Sequence, residues 1–432
     1  MMGAFSTLGR FATSRLGPLC AVALGAAILG GCSRRPGTEQ ARALAPSLVL
    51  SPPADHLDRL AREPMLVQHP DGTLFLTGYG GPGPRLWQSN DAGATWSPVN
   101  VGSEADGAIG NSDVDLAVAP DGTLYFAVMS YDRVKNEGIQ IAVGSSPDAG
   151  AKWSWTRLSA SRFCDRPWVE VAPDGTAHVI WNEGSGVAYA LSRDRGGTWQ
   201  GQPRIHPQGH SSHLAISATG EIAVRITPVS ASGNVHHEGV DLVAVSSDGG
   251  VSWTKHPAPG QRAWTFPYPE GDDPMPRWVE PLAWDAAGTL YYLWTNPAGL
   301  WLAGSTNRGA SWTTWQLAAG GELRYFPYLI ARRAGELAAT WFTGRGDAIQ
   351  VHVATIDILQ RDFPPRIAEA APFSPDTWEL GQNPEEPRRR DTAGEYVPIA
   401  FLRDGRLALV TTIQDDRQKR FGFAWRTVAG PK

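Results

Sequence analysis

The sequence is poor in cysteine, with three in 432 residues: Cys20, Cys32 and Cys164. That excludes a disulfide framework, so stability must come from packing. Long apolar runs are also scarce. The one that stands out, residues 16–29, is too short to cross a bilayer as a stable helix. There is no excess of positive charge; the formal net charge is −5. Bulk electrostatics therefore exclude a nucleic-acid partner. The chain also lacks a phosphate-cradling glycine loop and a nucleophilic serine motif, and nothing in it asks for a cofactor. His206, His210 and His213 have a spacing that could hold a metal. Loop histidines are ordinarily solvated, so no metal site is expected there.

Residues 1–31 contain no acid, carry Arg10 and Arg15, and end in Leu29-Gly30-Gly31-Cys32. A positive start, a short apolar stretch and small residues before a cysteine make an export signal. The ending resembles a bacterial lipobox, in which the cysteine is acylated. The division expected is a lipoprotein signal peptide (1–31), a tether that begins at lipidated Cys32 (32–46), and one folded domain (47–432). The resemblance implies an exported protein of the cell envelope, held to a membrane by its lipid alone. Ser33 resembles an outer-membrane sorting signal of Gram-negative cells.

Glycine and proline are plentiful, at 48 and 34, and there are 18 tryptophans. Short strands joined by tight turns need that mixture. The strands recur. Pro64-Met-Leu-Val-Gln-His-Pro-Asp-Gly72 opens one unit, and closely similar stretches lead to Gly122 and Gly175. Looser copies surround Gly220, Gly288, Gly335 and Gly405. Each is two apolar runs joined by a glycine turn, which is a hairpin pattern. The spacing suits four-stranded propeller blades with loops.

A second motif follows the hairpin in five units. Ser89-Asn-Asp91-Ala-Gly93-Ala-Thr95-Trp96 fits Ser-x-Asp-x-Gly-x-Thr/Ser-Trp, as do Ser192 to Trp199 and Ser246 to Trp253. Asp148 and Trp153 belong to a copy altered only at Lys152, and Asn307 and Trp312 to one with Asn for Asp. These resemble the Asp boxes, or BNR repeats, of sialidases and related propellers, over nearly all of the chain after Cys32. Asp91, Asp148, Asp194 and Asp248 are read as structural. A carboxylate there can accept hydrogen bonds from its own turn, and the tryptophan (Trp96, Trp153, Trp199, Trp253, Trp312) supplies buried area. The fold expected is all-β, a propeller of seven four-stranded blades, with six as the alternative. The stretch 47–51 should close the ring by supplying the outer strand of the last blade and so removing a free edge.

The glycine turns and boxes share one face, which leaves the long loops on the other. An arginine lies just before the first strand of five units: Arg62, Arg166, Arg277, Arg324 and Arg390. Guanidinium forks bind carboxylates in pairs of hydrogen bonds, so these are candidate ligand-binding residues for an anionic glycan or protein ligand. Arg62-Glu63-Pro64 resembles the Arg-Ile-Pro motif of sialidases, and Tyr396-Val-Pro-Ile399 resembles their Tyr-x-x-Leu. The resemblance implies Tyr396 as nucleophile, with Tyr328 second, Glu280 to activate it, and an aspartate acid/base. The family carries that aspartate in the loop after the second strand, but residues 78–88 contain no acid. Asp165 or Asp113 would have to replace it. Two functions stay open: a surface-anchored binding propeller, and a sialidase-type glycoside hydrolase.

Overall fold

The computed structural model describes residues 48–56, 62–211, 213–229, 240–260, 265–267, 274–276, 281–344, 349–374, 395–415 and 420–429. They form a seven-bladed β-propeller of antiparallel sheets. Blade 1 runs Arg62–Gln68, Leu74–Tyr79, Leu86–Ser89 and Ser97–Val99 from the inner strand outward. Blade 3 follows the same course with Cys164–Val171, Ala177–Glu183, Gly186–Ser192 and Gln200–His206. The seventh blade has only three strands of its own at the C-terminal end: Ile399–Phe401, Leu407–Asp415 and Arg420–Ala429. Val49–Leu50 and Ala54–His56 pair with the last of these, Val49 opposite Ala429 and Leu50 opposite Val428. The ring is thus closed by N-terminal strands, as expected.

All seven turn glycines, 72, 122, 175, 220, 288, 335 and 405, have a positive φ of +68 to +101°. Only glycine takes that conformation without cost, which explains why the repeat keeps it. The core lies between neighbouring blades. Leu74 and Leu76 of blade 1 pack with Phe423 and Trp425 of blade 7, and Tyr125 and Val143 of blade 2 pack with Val169 and Val179 of blade 3.

The five box motifs share one hydrogen-bond net. In the first, the Ser89 hydroxyl donates to Asp91 (2.8 Å) and accepts from the Gly93 N–H (2.9 Å), while Asp91 accepts the Thr95 N–H (2.8 Å). The tryptophan bond is less regular: the Trp96 indole donates to the Gly93 carbonyl at 3.2 Å and the Trp153 indole to the Gly150 carbonyl at 3.1 Å, whereas the Trp199 and Trp312 N–H groups have no partner among the described residues. The box glycine presses on the preceding blade. A Cβ on Gly93 would stand 2.2 Å from Trp425, and one on Gly250 would stand 2.0 Å from the Tyr189 hydroxyl. The boxes therefore staple blade to blade. Their tryptophan rings are half-buried at the rim, not sealed in the core.

Candidate active site at the channel mouth

The inner strands of blades 1, 3 and 6 begin with the same irregularity. Their ladders slip between Arg62 and Met65, Asp165 and Trp168, and Tyr325 and Tyr328. At each slip the residue before a proline has φ near +50°: Glu63 (+48°), Arg166 (+50°) and Phe326 (+48°). Proline disfavours the right-handed helical region for the residue before it. A left-handed non-glycine residue still costs on the order of 1–3 kcal/mol, and such strain gathers at functional sites. Bulges of this kind re-aim a side chain. Here they bring Glu63 and Arg166 into one cluster at the heads of the inner strands.

Arg166 is the hub of that cluster. Its Nη1 donates to the Tyr396 hydroxyl at 2.8 Å and stands 2.6 Å from Glu395 Oε2. Its Nε is 3.5 Å from Asp165. Asp165 and Asp113 hydrogen-bond to each other through their carboxyls. Burial pushes Asp113 up to about 7, with Asp165 adding to the rise and Arg166 opposing it. Burial also raises Asp165, against Arg166 and the Asp113 hydrogen bond. Its side chain is still 43% exposed, so solvent and a ligand can reach the pair. Glu63 is driven up to about 8 by burial, then by Glu395 and Asp113, despite Arg62 and Arg166. Burial holds the Tyr396 and Tyr79 hydroxyls well above the usual phenol range. The site therefore offers a buried carboxyl that keeps its proton at neutral pH, a carboxyl pair that shares one, and a tyrosine oxygen accepting from a guanidinium.

The sequence-derived set divides. Arg62, Arg166, Asp165 and Tyr396 meet here. Arg324 does not. Its Nη1 donates to the carbonyls of Ala319 (2.8 Å) and Glu322 (3.3 Å), so it caps its own loop. The reason is register. The bulge residues equivalent to Arg166 are Glu63 and Phe326, and Arg324 lies two positions before the latter. Arg277, Arg390, Glu280 and Cys32 lie outside the described residues. Of the five arginines expected at the mouth, Arg62 and Arg166 are the two that the described residues bring together, and they stand among four carboxyl groups, Glu63, Asp113, Asp165 and Glu395. Glu63 and Glu395 were not singled out from the sequence. The signal for Glu63 was the repeated residue-proline pair at the strand head.

Below the mouth the inner strands line a channel of about 440 Å³, with Trp168, His213, Tyr328, Asp115 and Glu170 in its wall. Tyr396 meets Trp168 edge-on at 5.5 Å, Trp168 lies 5.3 Å from His213, and His213 meets Tyr328 at 6.1 Å. Burial lowers His213 to about 4, so this aromatic line is uncharged at neutral pH. Tyr328, the second choice for a nucleophile, stands in the channel wall. Asp115 is spent on structure: it accepts the Val169 N–H at 2.8 Å and so ties blade 2 to blade 3.

No family model matches the chain, and no curated protein does. Its structural neighbours include β-propeller lyases and glycoside hydrolases. The fold is similar to that of an ulvan lyase bound to a glucuronic acid–sulphated rhamnose unit, with 9% identity, 86% of this chain and 95% of that chain covered, and a TM-score of 0.52. It is also similar to a catalytically inactive virginiamycin B lyase from Staphylococcus aureus with quinupristin, at 10% identity, 88% and 99% coverage and a TM-score of 0.51. An α-L-arabinofuranosidase from Fusarium graminearum matches at 11% identity, 88% and 98% coverage and a TM-score of 0.49. At these identities the likeness is one of fold.

Proposed function

We propose that the protein is an exported, lipid-anchored propeller that binds a glycan at the channel mouth and hydrolyses its glycosidic bond. The observation that carries this reading is the Asp113–Asp165 carboxyl pair beside Arg166, which in turn holds the Tyr396 hydroxyl. Glycoside hydrolysis needs a proton for the leaving oxygen and a second oxygen on the other side of the sugar ring. The Asp113–Asp165 pair shares a proton, which Asp113 donates toward Asp165, so the pair can give up a proton and later take one back. Tyr396 is the candidate nucleophile; burial raises its hydroxyl well above the usual phenol range, and the Arg166 N–H works against that rise. Glu63, protonated at neutral pH, can hydrogen-bond a sugar oxygen as a donor.

The same geometry changes the expected ligand. Four carboxyl groups beside two arginines leave no surplus of positive charge to draw a carboxylate, and carboxyl groups suit sugar hydroxyls. The reading is therefore of an enzyme for neutral sugar residues, in place of the anionic ones that the arginines suggested. The test is a panel of aryl glycosides, neutral and acidic, with wild type and Tyr396→Phe. Release from a neutral glycoside that the Tyr396→Phe protein fails to produce supports the proposal. Turnover that survives the change, or turnover of sialosides alone, overturns it. Anchoring is tested separately: Cys32→Ser should move the protein from the membrane to the soluble fraction.

A further inference from the structure

Phe163 is the least comfortable residue near the mouth. Its φ is +61°, it precedes the inner strand of blade 3 by one residue, and it is 56% exposed. A bulky residue in the left-handed region is an outlier, and exposing an aromatic ring there adds to the cost. The conformation is held from both sides. The Gly184 N–H donates to the Phe163 carbonyl at 3.2 Å, and the Arg162 guanidinium lies over the ring, 5.0 Å from its centroid. Arg162 is itself clamped. Its Nε reaches both oxygens of Glu137 at 2.9 Å and its Nη2 reaches one at 2.7 Å. Glu137 is almost fully buried, at 2%, while Arg162 is 70% exposed. A buried carboxylate thus fixes an exposed guanidinium, and the guanidinium backs an exposed ring.

We propose that Phe163 and Arg162 form an outer sugar subsite, so that the preferred ligand is a chain of at least two sugar residues. Phe163 lies two residues before Asp165, which at about 3.3 Å per extended residue puts their backbones about 7 Å apart. That is on the order of the length of one sugar ring. A ring with one face backed by a guanidinium presents the other to the apolar face of a pyranose or furanose. The Arg162 Nη1, which makes no hydrogen bond among the described residues, is placed for a hydroxyl of the same sugar. The strain at Phe163 serves to hold this platform at the rim beside Asp165 and Arg166.

This rests on the reading of the mouth as a sugar site, and the experiment separates the two. Titration calorimetry would compare arabinose with arabinotetraose, xylose with xylotetraose, and galacturonic acid with tetragalacturonate. The proteins are the full chain as wild type, Phe163→Ala, Phe163→Tyr and Asp165→Asn. For one neutral pair the tetrasaccharide should bind about tenfold tighter than the monosaccharide. Phe163→Ala should remove that advantage without changing monosaccharide affinity, and Phe163→Tyr should keep it. If both ligands weaken in Asp165→Asn but Phe163→Ala changes neither, the subsite is overturned and the mouth reading stands. If no ligand of the panel binds, or none depends on Asp165, the mouth reading falls and takes the subsite with it.

Discussion

The propeller carries aspartates at both ends, and the two ends treat them in opposite ways. In the boxes Asp91 and Asp248 are held down to about 2, first by a hydroxyl and then by a backbone N–H of their own turn. At the mouth Asp113 is pushed up to about 7 and Glu63 to about 8, first by burial and then by neighbouring acids. The residue type is nearly the same, and so is the strand architecture. What differs is whether donors are supplied to the carboxylate or water is taken from it. The boxes form a finished net in which the charge is satisfied within one turn. The mouth is left with protons that can move. Repetition and strong local hydrogen bonding accordingly mark the structural end, and unbalanced burial marks the end with chemistry.

The sharpest way to break this comparison is Asp165→Asn. Removing a positioned acid/base costs roughly 10²–10⁴ in turnover. The melting temperature should hold, because Asp165 is partly exposed and its backbone strand is unchanged. Turnover within a few-fold of wild type would remove the mouth from the chemistry. On the box side the largest effect should come from Gly250→Ala. That position has φ +88°, and a Cβ would stand 2.0 Å from the Tyr189 hydroxyl of the preceding blade. Strain and displacement together should cost about 2–4 kcal/mol, with activity per folded molecule retained. Gly175→Ala, with φ +86° and open space around it, isolates the backbone share at about 1–2 kcal/mol. Denaturant midpoints of the two variants measure the difference.

The two ends should also respond to pH with opposite sign. Glu63 has its folded pKa raised, from 4.5 to about 8, so the folded state binds the extra proton between those values. Stability from this group is present below pH 4.5 and lost as pH rises toward 8. The box aspartates have lowered folded pKa values. Their contribution is present above about 4 and lost as pH falls toward 2. Glu63→Gln should flatten the fall in melting temperature between pH 5 and 8 and leave the acid limb alone. An unchanged alkaline limb in that variant would mean that Glu63 is not the buried proton holder.

Much of the scaffold was legible because it is local and repeated. A glycine at φ > 0 in each of seven turns, and a box closed within eight residues, leave their mark in the sequence itself. Closure of the ring was legible too, since blade 7 visibly lacks an outer strand and residues 47–51 read as one. The site was legible only in part. Arg166 and Tyr396 were singled out from motifs, but their meeting depends on the closed ring, across 230 residues of chain. Arg62 and Arg324 looked equivalent to Arg166 because all three lie near the start of an inner strand. The bulge shows otherwise. It places Glu63, Arg166 and Phe326 in register, so Arg62 lies one position and Arg324 two positions before the residue equivalent to Arg166. The surplus of acids over arginines could not be read, because Glu63 and Glu395 reach the cluster through that bulge and that closure.

The smallest effect is expected where nature has already made the exchange. The box of blade 5 carries Asn307 where four others carry aspartate, and its geometry is unchanged. Asn307 Oδ1 accepts the Ser311 N–H at 2.9 Å and the Ser305 hydroxyl at 2.9 Å, as Asp91 accepts from Thr95 and Ser89. The hydroxyl bond runs in the opposite direction. The Asn307 amide donates to the Ser311 hydroxyl at 2.9 Å, whereas in box 1 the Thr95 hydroxyl donates to Asp91. A hydroxyl is both donor and acceptor and turns to suit its partner. Asn307→Asp should therefore alter stability by only a few tenths of a kcal/mol near neutral pH, as for other surface substitutions that leave the local net intact. Its denaturant midpoint should gain a weak acid-side dependence that wild type lacks at this position. The reverse chemical change, Asp165→Asn, is expected to abolish most turnover. A box needs an acceptor of the right shape, charged or not, while the mouth needs a carboxyl that can gain and lose a proton. If Asn307→Asp were to destabilise the fold by more than about 1 kcal/mol, charge would matter in the boxes after all, and the contrast between the two ends would fail.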